Sequence, residues 1–260
     1  MFYLLILAII QGLTEFLPVS SSGHLVLVHH LFGDANKAWE ENLMLDVAVH
    51  VGTLFAVLIY FHRTILEMLF LQNKSLIRHL IIGSIPVVIA GFMLHQMKPD
   101  FLRSVEIMAW MTIFFGLVLW ASEFGNRHQK QLHEMNWFHA LIIGIAQCFA
   151  LIPGTSRSGV TMTAARFIGY SRTESAKFSL LLSIVALSGA GVLLGKDVYD
   201  AGSIELTQSV FWAVGFSFIT ALGSIYLMMN FFEKHSFASF AIYRVLLGVF
   251  LLYLVHQNVL

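Results

Sequence analysis

The sequence predicts an all-α integral membrane protein with six transmembrane helices and two re-entrant helical hairpins in an inverted-topology repeat. Three observations predict it. The 260 residues are 58% hydrophobic and only 12% charged, where soluble domains carry about 25% charged residues. The apolar runs are continuous rather than alternating, which is the pattern of helices and not of a barrel. Two apolar regions are also cut by short polar breaks, at Pro18–Gly23 and Pro153–Gly159.

The first region is Met1–Phe32, and its break leaves pieces shorter than the about 20 residues that a bilayer requires. Proline removes a backbone donor and glycine permits unusual dihedrals, so a hairpin that dips in and returns is the economical solution. The apolar start has no basic segment before it and runs straight into the polar break, so no cleavable signal peptide is expected. Three spans follow, at Leu43–Phe61, Leu80–Met97 and Val105–Ser122. The second interrupted region is Trp137–Tyr170, followed by spans at Phe178–Gly195, Val210–Phe231 and Ala238–His256.

The chain therefore reads as one membrane domain, 1–260, in two halves of roughly 1–125 and 126–260. Pro18 and Pro153 lie 135 positions apart, and Ser20-Ser21 of one break matches Thr155-Ser156 of the other. Three spans per half is an odd number, so the second half is inverted. Inverted repeats with broken helices place a site near the midplane. Positive-inside counting sets the orientation. Arg63, Lys74, Arg78, Arg127, Lys130, Arg172, Lys177 and Lys234 fall on one side, against Lys37, Lys98, Arg103 and Lys196 on the other. The richer side is expected in the cytoplasm, which leaves the first hairpin opening outward. The net charge is zero, so no basic surface points to nucleic acid. Cys148 is the single cysteine, which excludes an intrachain disulfide.

The polar breaks carry the candidate chemistry, because ionisable groups at membrane depth are functional by default. Gln11 and Glu15 are four apart and share a helix face. Their oxygens suit a hard divalent cation, Mg²⁺ or Ca²⁺. Ser20, Ser21 and Ser22 offer hydroxyls and free N–H groups to phosphate oxygens at the start of the next helix. His24 has the chemistry of a nucleophile on phosphorus or of a general acid–base. In the second break, Thr155 and Ser156 precede Arg157, whose guanidinium matches phosphate bidentately. Asp46 and His50 are four apart and face one way, either joining this site or bridging helices. Arg244 is a further charge within an apolar span. Walker, GxGxxG, HExxH and paired-cysteine motifs are absent from the sequence.

Three stretches carry a resemblance: Gln11-Gly-Leu-Thr-Glu15, Pro18-Val-Ser-Ser-Ser-Gly-His24 and Pro153-Gly-Thr-Ser-Arg-Ser-Gly159. In their order and spacing the chain resembles the undecaprenyl pyrophosphate phosphatases, also called bacitracin-resistance phosphatases, over its whole length. The resemblance implies removal of the terminal phosphate from a C55 polyprenyl diphosphate in the bacterial plasma membrane, recycling the lipid carrier for cell-wall synthesis. It implies a divalent cation and a site opening to the outer, periplasmic side. It also carries functional roles onto Gln11, Glu15, Ser21, His24 and Arg157. Gln11 stands where an acidic residue is the alternative in the family, so it brings an oxygen without charge. For the nucleophile, His24 is favoured with Ser21 holding phosphate; Ser21 with His24 as base and metal-activated water directed by Glu15 are the rivals. The expected partners are the polyprenyl diphosphate and membrane lipids, with a homodimer allowed for. The functional alternative is a polyprenyl-phosphate transporter or flippase using the same midplane site, since inverted repeats of this kind are typical of transporters.

Overall fold

A computed structural model describes residues 2–32, 39–97, 104–124, 129–200, 208–257 and 259–260. Among the charges counted above, Lys37, Lys98, Arg103 and Arg127 lie outside them. The described residues are helical, and the single β-bridge pairs Lys130 with Tyr170.

Both interrupted regions form helix–break–helix units. Helices α1 (Phe2–Thr14) and α2 (Ser21–Phe32) flank the first break. Helices α7 (Trp137–Cys148) and α8 (Arg157–Ile168) flank the second, with one 3-10 turn at Phe149–Leu151. Between and after them run α3 (Trp39–Tyr60), α4 (His62–Leu69), α5 (Lys74–Met97) and α6 (Val105–Ala121) in the first half. The second half continues with α9 (Arg172–Asp200), α10 (Gln208–Lys234) and α11 (Ala238–His256).

Helices α5, α9, α10 and α11 are long and apolar enough to cross a membrane. The pair α3–α4 makes a fifth candidate, bent by 74° at its junction. Helix α6 coincides with an expected span but has 17 residues. The short helix α4 was not anticipated; charged Arg63 and Glu67 give it little continuous apolar length.

Small residues let the helices close on one another, as they do where lipid gives no hydrophobic drive. Gly144 of α7 faces the backbone of Gly83 on α5, and a methyl there would strike the Gly83 carbonyl. The main apolar core gathers Phe16, Leu119, Met162, Phe178, Leu181 and Phe232. A second cluster joins Leu4, Leu7 and Ala8 of α1 to Leu45 and Val49 of α3 and to Ala213 of α10. At one end, Arg172 donates twice to Glu123 at 2.6 and 2.9 Å, tying the start of α9 to the end of α6.

Candidate active site

The two breaks meet. Helix α1 ends just before Glu15, whose carboxylate is buried. Helix α8 begins at Arg157, whose Nη2 lies 2.8 Å from Glu15 Oε1. Glu15 Oε2 accepts from Gln11 Nε2 at 2.7 Å and from Ser21 Oγ at 3.2 Å. His50 Nε2 on α3 stands 3.8 Å from the same oxygen. The guanidinium also lies 6.0 Å from the centre of the Phe16 ring, a contact that favours a cation over the aromatic face. Two further bonds join the turns: Ser158 Oγ donates to Leu17 O at 2.9 Å, and Gly154 N donates to Ser22 Oγ at 3.2 Å.

The turns share a local design. Ser20 and Ser156 both have positive φ, 73° and 67°, and each immediately precedes a helix of 12 residues. Ser20 Oγ pairs with Ser22 Oγ at 3.1 Å, and Ser156 Oγ with Ser158 Oγ at 3.3 Å. The structural equivalent of Ser20 is therefore Ser156, not Thr155, because the second turn has one residue more after its proline. Gly154, at φ 92°, is packed so closely on Met108 that a side chain there would overlap the Met108 carbonyl. Residues holding a left-handed conformation without being glycine are fixed by their surroundings.

Helix α11 supplies much of that fixing. Arg244 is fully buried, and its Nη2 donates to Gly154 O at 2.9 Å and Thr155 O at 2.7 Å, its Nε to Thr112 O at 3.3 Å. Its neighbour Tyr243 meets His24.

A cavity of about 1310 Å³ opens beside the turns. Its polar end is lined by Glu15, Ser20, Ser21, Ser22, His50, Gln147, Ser156 and Arg157. Its flanks are apolar, from Val87 to Leu94 on α5 and from Ile184 to Leu193 on α9. The structure thus brings together Glu15, Ser20, Ser21, Ser22, Ser156 and Arg157 on one wall. Gln11 sits behind Glu15, fully buried, and Thr155 and His24 are off the wall. His50 joins the site, while Asp46 bridges to His29 on α2 at 3.3 Å. Gln147 was not foreseen, although it stands 136 positions after Gln11, the same offset as Ser156 from Ser20.

Several buried polar atoms have no hydrogen-bond partner among the described residues: Gln11 Oε1, both amide atoms of Gln147, Thr155 Oγ1, and Nη1 of Arg157 and Arg244. Leaving such a group buried and unpaired costs about 1–3 kcal/mol, so each calls for a partner. Among the described residues no three His, Cys, Asp or Glu side chains are grouped to hold a metal ion.

Comparisons with known proteins agree in their direction. The family described as "Bacitracin resistance protein BacA" matches residues 4–250. The undecaprenyl-diphosphatase of Ruegeria pomeroyi is 41% identical over 264 residues, covering 97% of each chain. That of Alteromonas mediterranea is 41% identical and covers 98% of each, and that of Saccharophagus degradans 41% with 96% of each. The match takes in both breaks, every helix packed on them and the cavity between, and the chain belongs to the BacA family.

Proposed function

We propose that this protein hydrolyses undecaprenyl or a similar polyprenyl diphosphate to the monophosphate and inorganic phosphate. The observation that carries this reading is the Glu15–Arg157 pair, joining two hydroxyl-rich turns at the polar end of a cavity with apolar flanks. A lipid diphosphate needs that division: charge and hydroxyls for the phosphates, an apolar groove for the tail. The relatives' names support the substrate class.

Phosphoryl transfer is mainly positioning and charge neutralisation. Arg157 Nη1, together with the N–H groups at the starts of α2 and α8, would hold the phosphate oxygens. Ser21 is the nucleophile we favour. Its Oγ donates to Glu15 and it lies on the cavity wall. His24 is less suited, since its Nε2 is taken up by the Tyr243 hydroxyl and it lies off that wall. Ser21 Oγ attacks the terminal phosphorus, its proton passes to Glu15, and the polyprenyl monophosphate leaves with the bridging oxygen. Water then attacks the phosphoserine, releasing inorganic phosphate and restoring the serine hydroxyl. Glu15 is a weak base while paired with Arg157. Bound phosphate draws the guanidinium away and frees the carboxylate for this role.

The donor set fits a divalent cation of the hard kind. Gln11 Oε1 is a buried acceptor without a partner among the described residues, and the Nε2 of the same side chain donates to the Glu15 carboxylate. Such ions keep waters and share substrate phosphates rather than filling an all-protein cage. Held by Gln11 and Glu15, Mg²⁺ or Ca²⁺ would offset the charge on the diphosphate.

We further propose six spans and an inverted repeat, supported by the matching turns at Ser20 and Ser156. The protein would lie in the bacterial plasma membrane with the cavity opening outward, recycle the carrier for cell-wall synthesis and confer bacitracin resistance. The test is phosphate release from a polyprenyl diphosphate by purified protein in detergent. Release by wild type and its loss in Ser21→Ala support the reading, and absence of release by wild type would favour a transporter instead.

A further inference from the structure

Tyr243 and His24 are 219 positions apart, yet the tyrosine hydroxyl meets His24 Nε2. Their rings are nearly parallel, 7° between planes, with centroids 5.6 Å apart. On the other side of the imidazole, Nδ1 lies 2.8 Å from Ser20 O. A carbonyl only accepts, so Nδ1 carries the ring proton. In the neutral ring Nε2 is then the acceptor and Tyr243 the donor. Ser20 O thus sets the tautomer of His24 and Tyr243 fixes the far side of its ring, while His24 holds the carbonyl of a serine in the left-handed region. The next residue is Ser21.

We propose that Tyr243 is a positioning residue for phosphoryl transfer, acting through His24 to hold the first turn so that Ser21 faces the cavity. Neither Tyr243 nor His24 is among the residues lining that cavity, and the effect is assigned to the turn that His24 holds. Arg244, the next residue on α11, holds the second turn by its carbonyls. Two successive side chains of one helix therefore set the register of both turns. The inference rests on the phosphatase reading, which release by the wild-type protein tests separately.

Tyr243→Phe keeps the ring and its stacking and removes only the hydroxyl. We expect kcat to fall about tenfold with KM within about twofold and an unchanged melting temperature. His24→Ala should fall at least as far. The double variant should be no worse than His24→Ala, because the tyrosine then has nothing left to hold. Wild-type kcat in Tyr243→Phe, losses that multiply in the double variant, or a fall in kcat matched by a fall in melting temperature would each overturn the proposal. A gain in activity would overturn it too, since it would mean that freeing Nε2 creates the nucleophile. The ¹⁵N signals of His24, assigned by their loss in His24→Ala, read the same link without turnover. Nε2 should shift in Tyr243→Phe while Nδ1 stays protonated, and an unmoved Nε2 would sink the idea.

Discussion

Two guanidinium groups border the turns and differ in what they face. Arg157 is paired with Glu15 and has a donor to spare; Arg244 is fully buried and its bonds go to carbonyls. The first should matter to turnover and the second to stability. Arg157→Lys keeps the charge but loses the planar fork, and Glu15→Gln keeps a hydrogen-bonding side chain but loses the charge. Each should lower kcat/KM by about 10²-fold or more in phosphate-release assays while the protein still inserts and purifies. Arg244→Met should instead destabilise the fold by about 2–3 kcal/mol, read as an earlier thermal melt in detergent, because it strips partners from buried carbonyls. Glu15 and Arg157 were legible in the sequence because charge inside an apolar run stands out. Gln147 and Tyr243 were not, since amides and tyrosines occur in membrane helices for many reasons and only their neighbours distinguish them.

At the level of the hairpins, the proline and glycine positions marked both breaks in the sequence, and helices stop and restart around them. What the residue types did not encode was which residue would take the left-handed conformation. Serine rarely does so, and Ser20 and Ser156 hold it because hydroxyl pairing, helix capping and contacts across the turns fix it. Ser156 also caps α8, accepting from Gly159 N at 3.2 Å. Ser156→Gly relaxes the backbone and loses little as a cap, so its melting temperature should stay close to wild type. Ser156→Val loses the cap and strains a β-branched residue at positive φ, a combined cost of about 2–3 kcal/mol. Equal melting of the two variants would mean that this turn is not strained.

For the whole molecule, long apolar runs made α5, α9, α10 and α11 legible as candidate spans, and the expected span ending at Phe61 stops where α3 bends into α4. The cavity flanks come from α5 and α9, and their small residues set its width. Gly189 on α9 lines the groove, and an added side chain there would meet nothing within 4 Å, which leaves room for a large one beside the tail's path. Gly189→Trp should therefore lower kcat/KM for a C55 diphosphate by about tenfold or more, with a smaller effect on a short-chain analogue. Equal losses on both would remove the groove from the tail's path. A chelator should abolish most turnover, and Mg²⁺ or Ca²⁺ should restore it, if Gln11 and Glu15 share a cation with the diphosphate. The turns themselves are stitched together through Ser22–Gly154 and Ser158–Leu17. Each turn is therefore held in part by residues of the other. A gene divided between the halves should yield an inactive fragment from either piece and recover turnover only on co-expression, and the intact protein should melt as one cooperative unit.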